Sequence, residues 1–157
     1  MGDFFALALP VALAAILVSA GVEDVRRREI ANWKNAAIAL MAPAWWLAIG
    51  LPVWPGMALQ LAVAVGVFAL FAGAFAIGMM GGGDVKMIAA LALWFPLHSV
   101  VWMLVAMSLV GGAITAVMLV DHRRRGAAGQ PEIPYGVAIA AAALLLLYHQ
   151  PLLNQFG

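Results

Sequence analysis

One carboxylate and one ammonium group stand almost alone in the longest apolar part of the sequence. Asp84 and Lys86 follow three consecutive glycines, and no ionisable residue occurs in positions 55–80. In positions 87–120 the only titratable side chain is His98. Because a charge buried among hydrocarbon is costly unless it is paired, hydrated or protonated, these residues are candidates for function.

A second carboxylate, Asp24, lies in the most densely charged segment, residues 23–34. Two carboxyl groups held about 3 Å apart share one proton, because like charges at that distance do not both ionise readily. The ionised group can take a proton from water while the protonated group polarises a carbonyl, which is the chemistry of an aspartic peptidase. Glycines beside such a pair would let a substrate backbone approach closely. The glycines are Gly81, Gly82 and Gly83.

The composition is typical of an integral membrane protein. Of 157 residues, 66% are hydrophobic and 10% are charged, whereas a soluble domain carries about 25% charged residues. The apolar runs are long and do not alternate with polar residues, which favours helices over barrel strands. There is no cysteine, which excludes disulfides, thiol catalysis and a cysteine-ligated zinc site.

The apolar runs predict a single transmembrane domain of about six helices over residues 1–157, with tryptophans mostly at the membrane interfaces. The positions of the basic residues predict that the first, third and fifth loops face the cytoplasm and that both termini face outward. Asp24 would end the first helix and Asp84 would precede the fourth, so both would lie at the cytoplasmic border and could meet. The predicted helices cover residues 4–22, 33–50, 57–79, 85–94, 100–120 and 135–148. The basic residues are Arg26, Arg27, Arg28, Lys34, Lys86, Arg123, Arg124 and Arg125.

Several of these segments resemble motifs of one family. Residues 81–84 match the GxGD motif of membrane aspartyl peptidases, and residues 85–90 resemble its continuation in the type IV prepilin peptidase family. The sequence resembles in particular the small form found in Tad/Cpa (Flp-type) pilus systems. Residues 24–32 resemble the family's aspartate, basic stretch and Ile-Pro-Asn, with Ala31 in place of the proline. Residues 133–138 are similar to the family's Pro-Tyr-Gly entry to its last helix.

The resemblance implies an endopeptidase of the bacterial inner membrane that cleaves leaders from prepilin-like precursors on the cytoplasmic face. Asp24 and Asp84 would be the catalytic pair, and the three glycines and Lys86 would support the motif and the substrate. Larger relatives carry a cysteine-containing insert after the first helix and also methylate the new N-terminus. Because the first loop is short and the sequence has no cysteine, we expect neither the insert nor methylation of the new N-terminus here. The expected partners are precursor proteins and membrane lipids, with no metal, cofactor or nucleic acid.

Other interpretations of these residues stay open at the level of sequence. Asp84 and Lys86 could form an ordinary hydrated loop, and Asp24 could cap a helix or pair with an arginine. Lys86 could extend to the lipid head groups or influence the carboxyl pair through space. The protein could instead be a small transporter that uses Asp84 and Lys86 as its ionisable pair, although no internal repeat supports this. It could also be a non-catalytic subunit of a secretion complex.

Overall fold

The computed structural model describes residues 2–125 and 133–149, and this part of the chain is helical without strands. A wide turn at Val53–Met57 joins the second helix to the third. The all-α fold predicted from the sequence is confirmed. The helices are α1 (Gly2–Arg27), α2 (Asn32–Ala48), α3 (Ala58–Ala76), α4 (Gly82–Ala92), α5 (Leu97–Arg125) and α6 (Tyr135–His149).

Within the described ranges, three stretches are long and apolar enough to cross a membrane: Phe4–Arg27, Val53–Ala76 and Leu97–Arg125. Together with the further apolar helices, these stretches indicate an all-α membrane protein. The other helices are shorter, with 17 residues in α2, 11 in α4 and 15 in α6. At about 1.5 Å per residue, α4 is roughly half as long as the hydrocarbon core is thick. Its two ends therefore need partners inside the protein.

The observed helix ends differ from the predicted ends in an informative way. α4 begins at Gly82 rather than near residue 85, so Asp84 lies inside its first turn, where an acidic side chain is favoured by the helix dipole. α1 and α5 continue past the predicted limits at residues 22 and 120, because hydropathy marks where apolar residues stop and not where a helix stops. Basic residues in the last turn stabilise both helices, because a positive charge is favourable at the C-terminal end of the helix dipole. Of the second polar segment, residues 121–132, the part beyond 125 lies outside the described residues, as does the tail after 149.

α4 is the central helix of the bundle. It packs against α2, α3 and α6, while α1 packs against α2 and α6, and α5 packs against α6. The side chains of α4 that face these neighbours are fully buried: Met87, Ile88, Leu91 and Ala92. A helix that is surrounded in this way can hold a side chain at its first turn in a fixed position.

Tryptophans fix the far end of α4. The rings of Trp45 and Trp94 stack with centroids 5.5 Å apart, and the Trp94 indole N–H donates to the carbonyl of Ile38 at 2.9 Å. The Trp46 indole N–H donates to the carbonyl of Leu93 at 2.9 Å. These three tryptophans are buried in the core, so the predicted interfacial role does not apply to them. Trp102, at 62% exposure, has the surroundings expected of a lipid-facing residue.

We expect Trp94→Ala to lower the free energy of unfolding by about 3 kcal/mol, because it removes a fully buried ring and leaves a cavity. Trp94→Phe retains a ring for the stack and loses one hydrogen bond, so it should cost about 1 kcal/mol. Thermal unfolding in detergent, followed by circular dichroism, measures both losses. The control is Trp102→Ala, which should change stability by less than about 0.5 kcal/mol. Equal losses at the two positions would contradict the packing described for Trp94.

Candidate active site

Asp24 lies in the last two turns of α1, and its carboxylate contacts the N-terminus of α6. The side chain is buried, and the backbone N–H of Val137 donates to its Oδ2 at 3.1 Å. The backbone N–H of Gly136 also donates to this carboxylate. Both N–H groups belong to the first turn of α6, where backbone donors have no partner within the helix. The helix N-terminus therefore binds the carboxylate as it would bind any anion.

Gly136 makes this contact possible because a side chain at its position would not fit. A Cβ atom there would lie 2.9 Å from Oδ2 of Asp24 and 2.7 Å from Cδ1 of Ile30. Sequence reasoning assigned Gly136 no role of its own, although the Pro-Tyr-Gly pattern at residues 134–136 was the signal that could have identified it. The structure shows that this glycine admits the carboxylate to the end of α6.

Asp84 lies in the first turn of α4, outside the stretches long enough to cross a membrane. The backbone N–H of Gly81 donates to its carboxylate, and a Cβ atom at Gly81 would lie 3.1 Å from its Oδ2. Burial raises the pKa of Asp84 to about 6, the negative charge of Asp24 contributes to the increase, and the Gly81 hydrogen bond opposes it. Asp84 therefore holds a proton more readily than an ordinary aspartic acid.

Asp24 and Asp84 line one cleft, which we call the aspartate cleft, at the end of the bundle where α1 ends and where α4 and α6 begin. Two neighbouring carboxyl groups, one of them inclined to hold a proton, can act together as a general acid and a general base. Among the described residues, no group of three or more His, Asp or Glu side chains could hold a metal ion. The cleft is also lined by Arg27, Arg28, Glu29, Gly78, Met79, Met80, Gly81, Ile133 and Tyr135.

The other residues of the predicted motif have different surroundings in the structure. Of the three glycines, Gly81 lines the aspartate cleft, whereas Gly82 faces Phe75 on α3 and Gly83 faces Ile30. A Cβ atom at Gly82 or Gly83 would make only ordinary van der Waals contact, so the space at these two positions does not require glycine.

Lys86 lies in a different groove, between α2, α3 and α4, and is not among the residues that line the aspartate cleft. Its ammonium group donates to Oδ1 of Asn32 at 2.9 Å. One turn along α2, the Asn35 amide donates to the carbonyl of Gly83 at 3.1 Å. Two asparagines of α2 thus hold the first turn of α4, which carries Asp84.

An ion pair between a buried lysine and a partly exposed glutamate holds the turn between α1 and α2. Lys34 is 5% exposed, and its ammonium lies 2.8 Å from Oε2 of Glu23 and donates to the carbonyl of Ser19 at 3.0 Å. The same carboxylate oxygen accepts the backbone N–H of Ala31 at 3.2 Å. Sequence reasoning missed this pair, because it treated residues 23–34 as one charged segment at the membrane border. Glu23 fixes the turn that follows Asp24 and does not line the aspartate cleft.

Comparison with known proteins identifies one family. A model of the type IV leader peptidase family matches residues 11–116, which include both aspartates of the cleft. The comparisons with curated proteins and with solved structures gave no match. The resemblance to the prepilin peptidase family that the motifs predict is therefore confirmed.

We expect Asp84→Asn to change how the stability of the protein depends on pH. The pKa of Asp84 is about 6 in the folded protein, against 3.8 for an unperturbed aspartic acid. Between these two values the folded protein keeps a proton that the unfolded chain has lost, so the stability of the wild type falls as the pH rises. An asparagine binds no proton, so the variant should gain stability relative to the wild type between about pH 4 and about pH 6 and keep that gain at higher pH.

Thermal unfolding in detergent across this pH range measures the difference. The control is Asp121→Asn, which removes an exposed carboxylate that pairs with Arg125 within α5. A stability difference between Asp84→Asn and the wild type that is the same at every pH would contradict the raised pKa.

Proposed function

The chain belongs to the type IV leader peptidase family, and from this membership we propose that it is an aspartic endopeptidase that removes the leader from prepilin-like precursors. The observation that carries the proposal is that Asp24 and Asp84, which are 60 positions apart (84 − 24), line the same cleft. We further propose that the substrates are precursors of Flp-type pilins, because the motifs resemble the small form of the family.

In the proposed mechanism, the two carboxyl groups activate water and the scissile peptide together. We assign the role of base to Asp24, whose carboxylate accepts two N–H groups of α6, and the role of acid to Asp84. Asp24 takes a proton from the attacking water while Asp84 gives its proton to the carbonyl oxygen. The new C–O bond produces a tetrahedral diol. The C–N bond then breaks as Asp24 returns its proton to the leaving amine and Asp84 recovers a proton from the diol. Both groups end in their starting state.

We propose that cleavage takes place at the cytoplasmic border of the bacterial inner membrane. Basic residues cluster at the helix ends around the aspartate cleft: Arg26 and Arg27 end α1, and Lys86 lies in the start of α4. By the positive-inside rule such an end of a helix bundle faces the cytoplasm. A leader that has remained in the cytoplasm would then reach the cleft without crossing the membrane.

Two expectations about activity follow from the same residues. We propose that the chain does not methylate the new N-terminus, because residues 28–31 between α1 and α2 leave no place for the cysteine-containing insert of larger relatives. A transporter that uses Asp84 and Lys86 as a pair is disfavoured, because Lys86 bonds to Asn32 in a groove separate from the aspartate cleft.

We expect Asp24→Asn and Asp84→Asn each to lower kcat/KM for a precursor at least a hundredfold, because either change removes one half of the acid–base pair. Cleavage of a purified precursor in detergent or proteoliposomes, followed by mass spectrometry of the products, measures the loss. Asp121→Asn, which changes an exposed aspartate of α5, should retain the activity of the wild type. Full processing by either cleft variant would rule out the proposed pair.

We expect Gly136→Ala to lower kcat at least tenfold with little change in KM, because the new methyl group would displace the Asp24 carboxylate from the end of α6. Initial rates over a range of precursor concentrations separate the two constants. The matched control is Gly66→Ala, since a Cβ atom at Gly66 on α3 meets nothing within 4 Å. Unchanged kcat in Gly136→Ala would show that the contact between Asp24 and α6 is not needed for cleavage.

A further inference from the structure

An apolar groove runs between α3 and α5, and we call it the α3–α5 groove. It exists because α3 packs on α4 and α5 packs on α6, while α3 and α5 have little direct contact with each other. The groove has a volume of about 510 Å³ and follows α5 from Met107 to Leu119. This stretch of α5 is about 18 Å long at 1.5 Å per residue, so the groove could hold roughly three turns of a helix.

The α3–α5 groove adjoins the aspartate cleft. Met79, Met80 and Tyr135 line both the groove and the cleft. A peptide whose scissile bond lies between the aspartates would therefore reach the groove within a few residues. The resemblance to the prepilin peptidase family implies that the cleaved bond directly precedes a hydrophobic segment of the precursor, so that segment would need a place beside the cleft.

The surface of the groove suits an apolar helix. Five of the seven α5 residues that line it are small and allow another backbone to approach closely: Ser108, Gly111, Gly112, Thr115 and Ala116. The hydroxyl groups of Ser108 and Thr115 each donate to a carbonyl of α5 itself, both at 2.7 Å, so neither demands a polar partner in the groove. Met79 and Met80 can adapt to different side chains, because the thioether chain is flexible and polarisable.

We infer that the α3–α5 groove binds the hydrophobic segment of the precursor and so places the leader junction between Asp24 and Asp84. The inference rests on the proposed function, and it adds where the membrane-embedded part of the substrate lies. A second apolar groove, between α2, α3 and α4, carries Lys86 and Asn32 but shares no lining residue with the aspartate cleft. A helix bound in that second groove would be separated from the aspartates by α4.

A larger side chain at Gly112 would block the α3–α5 groove and so test whether the precursor binds there. Gly112 lines the groove and a Cβ atom there meets nothing within 4 Å, so a leucine side chain would begin in open space and we expect it to occupy the groove. Two substrates are compared: a full precursor, and a short peptide that spans the leader junction but lacks the hydrophobic segment. We expect the ratio of kcat/KM for the precursor to kcat/KM for the peptide to fall at least tenfold in Gly112→Leu. The matched control is Gly66→Leu, because Gly66 is also an exposed helical glycine with open space around it and lies outside the groove.

The outcomes separate the inference from the proposed function. If the wild type cleaves both substrates and Gly112→Leu leaves the ratio unchanged, the groove assignment is overturned while the peptidase stands. A general disturbance of the cleft lowers both rates equally and also leaves the ratio unchanged, so it counts against the assignment. If the wild type cleaves neither substrate, the proposed function fails and the inference fails with it.

Photo-crosslinking gives a second readout that does not depend on activity. In the inactive Asp84→Asn background, a benzophenone amino acid replaces Ala116 in the α3–α5 groove or, as the control, Ala89 in the groove that contains Lys86. We expect the precursor to be captured from position 116 at least five times more efficiently than from position 89. Equal capture, or preferential capture from position 89, would overturn the assignment.

Discussion

The hydrogen bonds from the first turn of α6 to the Asp24 carboxylate join the last turns of α1 to the start of the last helix. The neighbouring Ile30 is buried between the starts of two helices, because it lies against Gly83 of α4 and Gly136 of α6. A side chain at Gly136 would clash with Ile30, whereas a Cβ atom at Gly83 would make an ordinary van der Waals contact with it. The contact with Ile30 places the start of α4, and with it Asp84, beside the cleft that Asp24 lines.

The shortness of α4 explains two of the buried polar side chains, Asn35 and Gln60. A helix that ends inside an apolar bundle leaves carbonyl groups without partners, and no water is available there to satisfy them. The side-chain amide of Gln60 donates to the carbonyls of Leu93 and Phe95 just beyond the end of α4, at 3.2 Å and 3.0 Å. At the start of α4 the amide of Asn35 binds the carbonyl of Gly83. Polar side chains on α2 and α3 therefore hold both ends of the helix that carries Asp84.

The residues of the candidate site that could be singled out from the sequence are those that stand out against an apolar background. Asp84 could be identified because no other ionisable residue lies near it in the chain, and Asp24 because the charge pattern placed it at the same border as Asp84. Gly136 and Asn35 could not be assigned roles in this way, because their contacts join residues that are far apart in the sequence. The burial of Lys34 could not be predicted for another reason. Hydropathy treats a lysine at a helix end as exposed, and a hydropathy pattern cannot show that Glu23 is close enough to pair with this lysine.

The motif at residues 81–86 acquires two functions from the geometry of one helix. Asp84 and Lys86 are two positions apart, so they point in directions that differ by about 200° around α4. Asp84 consequently lines the aspartate cleft, while Lys86 lines the groove beside α2 and bonds to Asn32. If the lysine lay beside Asp84 instead, its positive charge would favour the ionised carboxylate and weaken the hold on a shared proton. The spacing therefore keeps the ammonium group available to anchor the helix and leaves Asp84 in surroundings that favour its protonated form.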